Sequence, residues 1–299
     1  MASQAAVLAP PERELVSCRV CSGSPSTPYL SARGYTLVRC DTCGLLYVNP
    51  QPSVKELEHI YAAFDQGDQW RKGEEAFNRG VREVVLRFKE GGGAMDVGSG
   101  SGNFLRCLRE SGFRVFGVEP SETGCAYAKT VHGIDTFNGT VEAFLASGTT
   151  RDFDVVTILN VLEHLKDPAS TLLQLRQLLR SGGIVVIVVP DARLHALIGR
   201  ARQRLGFKDP FWMETERHPL VGFDPPHHLC SFEPRTLSQL VRRSGFEPIY
   251  LANAPVIFND DRWKNVAKTV LHTISQAIYW LTFRQLIFGY STLLVACKN

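Results

Sequence analysis

A glycine-rich segment, Asp96-Val97-Gly98-Ser99-Gly100-Ser101-Gly102-Asn103, follows a short apolar run and precedes a helical pattern. Glycines at this spacing let the backbone adopt angles closed to other residues and pass close to a ligand. A dinucleotide fingerprint would need glycine where Asn103 stands, and a phosphate-binding P-loop would need Gly-Lys-Ser/Thr. The remaining pattern, G-x-G-x-G after an acidic residue, predicts a ligand-binding turn between a strand and a helix.

Apolar runs alternate with amphipathic helical patterns beyond this point. The predicted strands are Ala94–Val97, Arg114–Val118, Ile134–Phe137, Phe153–Leu159, Ile184–Val189, Phe246–Leu251 and Ser291–Ala296. Helical patterns between them include Asn103–Glu110, Thr123–Thr130, Pro168–Leu179 and Pro234–Arg243. Such alternation predicts a parallel sheet with right-handed crossovers. We therefore predict an α/β fold with a doubly wound, seven-stranded, Rossmann-like sheet.

Glu119 ends the strand that follows the glycine-rich segment. An acidic side chain at this position can accept hydrogen bonds from the two hydroxyl groups of a ribose. The alternative is that the glycines form only a tight turn and that Glu119 is a surface charge. The order strand, loop, helix, strand and acid favours a nucleoside site at the carboxyl end of the sheet.

These motifs resemble those of class I S-adenosylmethionine-dependent methyltransferases. Four segments match in order: Gly98–Gly102, Glu119, the stretch from Phe153 to His164, and Leu178–Gly183. The resemblance covers about two thirds of the chain, from Gly93 to Asn299. It implies S-adenosylmethionine as cofactor, with the ribose at Glu119, the methionine part at the glycine loop, the adenine along 138–142, and Asn160 and Val161 on the pocket floor. Thr140 stands where the family usually carries an acidic residue, and Glu142 follows two positions later. The implied cofactor-binding residues are Asp96, Gly98, Ser99, Gly100, Gly102, Asn103, Glu119, Pro120, Thr140, Val141, Glu142, Asn160 and Val161.

Three histidines are candidate catalytic residues. His164 follows the fourth predicted strand, and His227 and His228 lie in Pro225-Pro226-His227-His228-Leu229, within a long predicted loop. Histidine is the side chain best suited to accept a proton near neutral pH. Each could instead be a helix cap or a packed structural group. The pattern Pro-x-His-x-Leu-x-x-Phe resembles a segment of ubiquinone-pathway O-methyltransferases and deoxysugar C-methyltransferases, which implies that His227 or His228 contacts the acceptor.

Two Cys-x-x-Cys pairs, Cys18/Cys21 and Cys40/Cys43, lie near the N-terminus. Such pairs deliver four thiolates in the geometry that Zn²⁺ prefers, so we predict a structural zinc ribbon. Redox-active pairs or free thiols are the alternatives. The residues between the pairs include only two basic side chains, which argues against nucleic-acid binding by this region. The other four cysteines, Cys107, Cys125, Cys230 and Cys297, are scattered and are predicted to be packed in the interior.

Composition and charge bound the remaining possibilities. A hydrophobic fraction of 44% indicates a globular chain. A net charge of +3 gives no general excess of basic residues of the kind that binds nucleic acid. The N-terminus lacks the features of a signal peptide, and no run of ~18 apolar residues occurs, so we expect a soluble, cytoplasmic protein. The predicted regions are a mobile tail at 1–14, a zinc ribbon at 15–52, a helical linker or cap at 53–92, and a methyltransferase domain at 93–299 with a helical insertion at 255–290.

The predicted insertion carries an apolar repeat at helical spacing, with Val266, Val270, Ile274 and Ile278 among its members. It could pack on its own domain, cover an apolar acceptor, or contact a membrane surface or a second subunit. The few basic residues on this stretch weaken the membrane interpretation.

Together these features predict methyl transfer from S-adenosylmethionine to a small-molecule acceptor, with O-methylation favoured and C-methylation a close second. One alternative is a non-catalytic adaptor that keeps the nucleoside site. A methyltransferase for RNA or protein is the weakest alternative, because the chain has no basic stretch interleaved with aromatic residues.

Overall fold

A small antiparallel sheet forms the N-terminal, cysteine-rich region. The computed structural model describes residues 13–32, 34–57, 74–148, 152–191, 193, 204–206, 227–257, 262–282, 287 and 289–299. The first five strands are β1 (Arg13–Glu14), β2 (Ser26–Ala32), β3 (Tyr35–Cys40), β4 (Leu46–Val48) and β5 (Gln51–Pro52). Strands β2, β3 and β4 pair side by side, and β1 pairs with β5. Most of the predicted tail and the central part of the predicted linker lie outside the described residues, and the predicted domain boundaries stay predictions.

Seven further strands form the main sheet, in the order β12-β13-β10-β9-β6-β7-β8. Their bounds are β6 (Gly92–Val97), β7 (Phe113–Glu119), β8 (Thr136–Asn138), β9 (Phe153–Leu159), β10 (Leu179–Pro190), β12 (Phe246–Asn253) and β13 (Ser291–Lys298). Strands β6 to β10 are parallel, whereas β13 runs antiparallel to both of its neighbours. Residues 184–189 of β10 are all buried, as expected for a strand covered on both faces. The predicted seven-stranded, Rossmann-like sheet is confirmed, but the prediction that it is parallel is wrong for its last strand, because β13 runs antiparallel between β10 and β12.

Helices cover both faces of this sheet. They are α1 (Glu74–Leu86), α2 (Asn103–Glu110), α3 (Glu122–His132), α4 (Val141–Ala146), α5 (Pro168–Leu178), α6 (Pro234–Arg243) and α7 (Arg262–Leu281). Apolar side chains of α1 and α2, such as Val81 and Leu108, pack with one set of inward-facing strand residues. Side chains of α5 and α6, such as Leu172 and Leu240, pack with the other set. The packing leaves the carboxyl ends of β6, β7 and β9 side by side at one edge, where open α/β sheets bind ligands.

The cysteine-rich region is joined to the main domain by a shared sheet and a shared core. The short strand β11 (Cys230–Ser231), which belongs to the second half of the chain, pairs antiparallel with β4. Leu45 and Tyr47 are fully buried in one apolar cluster with Ile158 and Phe232. The N-terminal sheet therefore packs directly against the main domain, close to the carboxyl end of β9.

Helix α7 lies within the predicted insertion at 255–290 but packs through an unexpected face. Val266, Val270 and Ile274 are each about half exposed, at 50%, 54% and 49%. The buried face instead carries Ser275 and Tyr279, and the Tyr279 hydroxyl donates to the carbonyl of Leu251 over 3.2 Å. The apolar repeat therefore lies on the outer side of the helix. Within the parts of the chain that the structure describes, no helix combines the length and apolarity needed to cross a bilayer.

Candidate functional site

The glycine-rich loop is held at the edge of the sheet by close backbone packing. Gly98, Gly100 and Gly102 have positive φ angles of 72°, 52° and 77°, a region that favours glycine. A Cβ atom on Gly98 would lie 2.4 Å from Cγ2 of Val161, in the loop that follows β9. A Cβ atom on Gly100 would meet nothing within 4 Å. Gly98 is thus needed for contact between two loops, whereas Gly100 borders open space.

Helix α2 begins directly behind this loop. Its N-cap, Gly102, provides no side-chain hydrogen bond to the first turn, so backbone N–H groups there lack that usual acceptor. Asn103 is turned toward α3, where its Oδ1 lies 3.0 Å from Nε2 of His132. Ser99 is buried, and its hydroxyl oxygen has no hydrogen-bond partner among the described residues. An N-terminus of this kind favours a polar or anionic ligand group.

Glu119 ties the glycine loop to the next strand. It ends β7 and is 7% exposed, and its Oε2 accepts a hydrogen bond from the Gly100 N–H over 2.7 Å. Its Oε1 accepts from the Ser121 N–H over 2.8 Å. Pro120, between Glu119 and Ser121, is exposed. An ionised carboxylate accepts about four hydrogen bonds in total.

Asp96 lies beneath the loop in the sheet itself. Its side chain is 3% exposed, and Oδ1 accepts a hydrogen bond from the Thr157 hydroxyl over 2.6 Å. Burial raises the pKa of Asp96 to about 7, with a further rise from the nearby Glu119 charge, and the Thr157 hydrogen bond opposes this only in part. The sequence analysis predicts that Asp96 contacts the cofactor. In the structure its carboxyl group is hydrogen-bonded to Thr157 of β9.

The residues expected to border the adenine lie around the start of α4. Thr140 is exposed and caps this helix, with Oγ1 accepting from the Ala143 N–H over 3.2 Å. Val141 is buried, whereas Glu142 is exposed. The adjacent Asn138 side chain donates to the Pro120 carbonyl over 3.3 Å. These residues lie beside β7 and β8, next to Glu119.

The loop after β9 has a constrained backbone. Asn160 has a φ of 55°, a left-handed conformation that is uncommon for residues other than glycine, and its N–H donates to the Val188 carbonyl over 2.8 Å. Val161, which contacts Gly98, follows it. Constrained backbone of this kind occurs preferentially at functional sites. The loop places the short 3₁₀ turn Leu162–His164 beside the cofactor loop.

The structure brings the candidate histidines together. The rings of His164 and His228 are in edge contact, with centroids 4.7 Å apart. Nδ1 of His164 lies 2.8 Å from the carbonyl oxygen of His227, and since a carbonyl only accepts, this nitrogen carries the proton. Burial lowers the pKa of His164 to about 4, against the raising effect of that hydrogen bond, so the imidazole is neutral near pH 7. His227 thus acts on this cluster through its backbone.

Glu163 is a further member of this cluster that sequence reasoning did not single out. It is 2% exposed, and neither carboxylate oxygen receives a hydrogen bond from another described residue. Burial raises its pKa to about 8. One ligand atom from each of Glu163, His164 and His228 lies within 4.8 Å of the other two. A glutamate directly before a candidate histidine at a strand end was the sequence signal available.

The four N-terminal cysteines converge as predicted. Sγ of Cys18 lies 3.4 Å from Sγ of Cys43, and Sγ of Cys21 lies 3.5 Å from Sγ of Cys40. The thiolates of a tetrahedral zinc site, with bonds of about 2.3 Å, lie about 3.8 Å apart. Burial opposes ionisation of Cys40, but hydrogen bonds from the N–H groups of Cys43 and Thr42 outweigh it and lower the pKa of Cys40 to about 7. The donor set therefore fits a zinc ion.

Comparison with known proteins agrees with this fold. Residues 69–251, more than half of the chain, match the family described as "Methyltransferase domain". The chain belongs to the methyltransferase domain family. This match confirms the resemblance drawn from the glycine loop, Glu119 and the later motifs. The methyltransferase domain match includes all the candidate site residues of the main sheet and its loops, and it excludes the four cysteines.

Relatives of this methyltransferase domain include two curated bacterial proteins. The chain is 36% identical over 115 residues to the "Ubiquinone biosynthesis O-methyltransferase" of Nitrosomonas europaea, covering 35% of this chain and 48% of the relative. It is 28% identical over 179 residues to the protein of the same name from Roseobacter denitrificans, covering 56% of this chain and 64% of the relative. The chain thus spans about half to two thirds of the length of these relatives.

Solved structures show the same fold. A SAM-dependent methyltransferase from Archaeoglobus fulgidus aligns over 80% of this chain and 99% of its own, with a TM-score of 0.52 and 20% identity. The 1,6-didemethyltoxoflavin-N1-methyltransferase of Burkholderia thailandensis, solved with S-adenosylhomocysteine, aligns over 91% of this chain and 99% of its own, with a TM-score of 0.52 and 16% identity. At this identity the similarity establishes the fold alone.

The contact between Gly98 and Val161 generates a stability prediction. Gly98→Ala should lower the free energy of unfolding by about 2–4 kcal/mol, because it adds both a clash with Val161 and the strain of a positive φ. Gly112→Ala is the matched control, since Gly112 has a φ of 93° but open space around its Cβ position, and it should cost only about 1–2 kcal/mol. Urea unfolding measures both values.

A second substitution isolates the clash. Adding Val161→Ala to Gly98→Ala should recover part of the lost stability, because the methyl group that the new Cβ meets is removed. Strain from the positive φ would remain. If the double variant is no more stable than Gly98→Ala, the contact between the two loops does not account for the loss.

The buried Asp96 predicts how the stability of the ligand-free protein changes with pH. The folded state keeps the Asp96 proton up to about pH 7, whereas an unfolded aspartate releases it near pH 4. Between these values the folded state binds more protons, so the free energy of unfolding should fall as pH rises, by about 1 kcal/mol per pH unit. Asp96→Asn should make the slope shallower by about this amount, whereas the buried Glu163, whose pKa is also raised, still contributes. The exposed Asp152→Asn should leave the slope unchanged. Urea unfolding between about pH 5 and 7 tests the difference, and equal slopes in wild type and Asp96→Asn would contradict it.

Proposed function

We propose that this chain binds S-adenosylmethionine and transfers its methyl group to a hydroxyl group of a small molecule. The observation that carries the proposal is the junction of the glycine loop with Glu119, whose carboxylate contacts the Gly100 N–H at the carboxyl end of the sheet. A glycine loop with open space at Gly100 and a nearly buried carboxylate beside it fits a nucleoside with an attached amino-acid chain. Membership of the methyltransferase domain family supports this cofactor.

Each edge of the pocket would contact a different part of the cofactor. The Glu119 carboxylate would accept the ribose hydroxyls, and the backbone of the loop, with Asp96 beneath it, would face the methionine part. The segment around Thr140, Val141 and Glu142 would border the adenine. The remaining proposed contacts are Gly98, Ser99, Gly102, Asn103, Pro120, Asn160 and Val161.

The bound cofactor would supply a methyl group on a positively charged sulfur. The chain must then orient an acceptor oxygen in line with that group, because positioning supplies much of the acceleration in such a displacement. An acceptor hydroxyl must also lose its proton. The His164/His228 pair lies beside the loop that contacts Gly98, and the His227 carbonyl fixes the His164 ring. We therefore assign these three histidines to the acceptor side of the pocket.

The names of the curated relatives favour an oxygen atom as the acceptor. Both are named as O-methyltransferases of ubiquinone biosynthesis, and each shares about a third of its aligned residues or fewer with the chain. Their names support O-methylation over the C-methylation that the sequence leaves as second choice. A small apolar molecule with a phenolic hydroxyl is the acceptor class that we propose.

We further propose that the four cysteines hold a structural zinc ion. Their sulfur–sulfur separations are close to those of a tetrahedral thiolate site. The cluster packs in the same core as the end of β9, so the ion would stabilise the strand β4 against which β11 pairs. No chemical step is assigned to this ion.

Calorimetric titration with S-adenosylhomocysteine tests the cofactor site. Wild-type protein should bind it with micromolar affinity. Glu119→Ala should weaken binding at least about tenfold because the acceptor for the ribose hydroxyls is lost. Gly100→Val should weaken binding by a similar factor because the new side chain would block the loop. The exposed Glu122→Ala, three residues along the chain, is the matched control and should bind normally.

The same proteins can then be incubated with S-adenosylmethionine and, in separate reactions, with a simple phenol, 4-methylcatechol or a sugar, with methylated product followed by mass spectrometry. Absence of binding by folded, zinc-loaded wild type would contradict the proposed cofactor. Binding without any methylated product from phenols, catechols or sugars would favour a non-catalytic, nucleoside-binding adaptor.

Metal analysis tests the cysteine site. Purified wild type should contain about one zinc ion per chain, and Cys40→Ser should lose most of it, because one of four thiolate ligands is removed. Cys107→Ser changes a buried cysteine of α2, outside the four-cysteine cluster, and should keep its zinc. Zinc content that is unchanged in Cys40→Ser would exclude the four-thiolate site.

A further inference from the structure

We propose that a cavity between α1, α7 and β12 is a second small-molecule site, which binds a neutral aromatic compound with an N–H or O–H donor. The cavity has a volume of about 320 Å³, which is within the range usual for ligand pockets. Its walls come from three separate elements, and Val84 of α1, Asn253 of β12 and Gln276 of α7 are among the lining residues. The inference does not depend on the proposed methyl transfer.

The cavity lies beside one face of the main sheet, whereas the turn that carries His164 packs with the other face. Val84 and Leu293, which border the cavity, belong to the apolar cluster of α1 and α2. Leu162, at the start of the turn, belongs to the apolar cluster of α5 and α6. None of the described lining residues comes from the glycine loop or the histidine cluster. A ligand in this cavity would therefore be bound separately from the cofactor and the acceptor.

The side chain of Asn253 is the observation that points to a ligand with a donor group. Asn253 is 6% exposed, and its Nδ2 donates to the Ser275 carbonyl over 3.3 Å, which distinguishes the nitrogen of the amide from its oxygen. Its Oδ1 is buried and accepts no hydrogen bond from another described residue. Buried acceptors without a partner are uncommon because their lost hydration is not replaced. An N–H or O–H group of a ligand in the cavity would satisfy this oxygen.

Aromatic side chains in the walls suit the cavity to a flat ring. Tyr250, Tyr279 and Trp280 all line it, and the rings of Tyr279 and Trp280 are in edge contact with centroids 5.8 Å apart. The Tyr279 hydroxyl donates to the Leu251 carbonyl over 3.2 Å, which anchors this ring to β12. Trp280 is 59% exposed, so its indole ring lies at the mouth of the cavity. An aromatic ligand would add further edge or offset ring contacts, which are stabilising.

The charges around the cavity favour a neutral ligand. Glu83 and Arg87, one helical turn apart on α1, line it with opposite charges, and both are exposed. A net charge on the ligand would be attracted by one of these groups and repelled by the other. Burial lowers the pKa of His272, a third lining residue, below its ordinary value, so its imidazole is neutral near pH 7. A charged ligand would therefore lose hydration without a matching gain.

Binding of two fluorinated indoles to the zinc-loaded protein, followed by ¹⁹F NMR, tests the site. 5-Fluoroindole carries an N–H donor, and 5-fluoro-1-methylindole has the same ring without that donor. Wild type should bind 5-fluoroindole at least about fivefold more tightly, because only this compound can donate to Oδ1 of Asn253. Asn253→Leu, with a side chain of similar shape and no acceptor, should remove this preference.

A substitution at the mouth of the cavity locates the ligand without changing the interior. Trp280→Ala should weaken binding of 5-fluoroindole at least about threefold, because a ring contact is lost. Leu281→Ala is the matched control: the residue follows Trp280 in α7, is 79% exposed and does not line the cavity, so binding should equal that of wild type. Because Trp280 is exposed, Trp280→Ala should keep the fold, and it tests the site even if Asn253→Leu does not fold.

The outcomes also separate this inference from the proposed function. Absence of 5-fluoroindole binding by folded wild type would mean that the cavity holds only water, and equal affinity for the two indoles would exclude the hydrogen bond to Asn253; either result overturns the inference. Unchanged binding in Trp280→Ala, or loss of binding in Glu119→Ala, would place the ligand elsewhere and would overturn it too. If 5-fluoroindole binds as expected but S-adenosylhomocysteine does not, the cavity site stands and the proposed function fails.

Discussion

Two backbone hydrogen bonds of Leu229 determine how the parts of this protein meet. Through its N–H the residue is bound to the turn after β9, and through its carbonyl it is bound to β4 of the N-terminal sheet. Three segments that are distant in sequence are thereby fixed relative to one another in a buried setting, where backbone groups must find partners. The relative positions of Glu163, His164 and His228 depend on this junction, and so does the attachment of the cysteine-rich region.

A second close contact connects that junction to the cofactor pocket. Val161 lies two residues before Glu163 and packs against Gly98, at a distance that excludes any side chain there. Gly98 in turn belongs to the loop whose Gly100 N–H is bound by Glu119. A displacement of the turn after β9 would therefore shift residues of the glycine loop and residues of the histidine cluster. Because packed interiors transmit such displacements, the two halves of the pocket are expected to respond together.

The features that the sequence predicts best are those that a local residue pattern controls. The strands, the glycine loop and the cysteine pairs each have a short signature, and the structure reproduces them, including the uniformly apolar β10. Which side of a helix packs is a tertiary property: the apolar repeat of α7 marks Val270 and its neighbours as one face, but Ser275 and Tyr279 are the residues that pack. The burial of Glu163 and the pairing of β11 with β4 depend on contacts between residues far apart in sequence, for which a single sequence carries no periodic signal.

Burial gives the histidine cluster its electrostatic character, and the N-terminal sheet belongs to the core beside the cluster. Leu45 and Tyr47 lie in the same apolar core as Leu162, the residue before Glu163, and help to exclude water from this region. In such surroundings an isolated carboxylate is unfavourable, and its attraction to a positive charge is stronger than it would be in water. The pKa of Glu163 is raised and that of His164 is lowered for this reason. The cysteine-rich region therefore shares the apolar core beside the cluster, even though none of its described side chains is a candidate reactant.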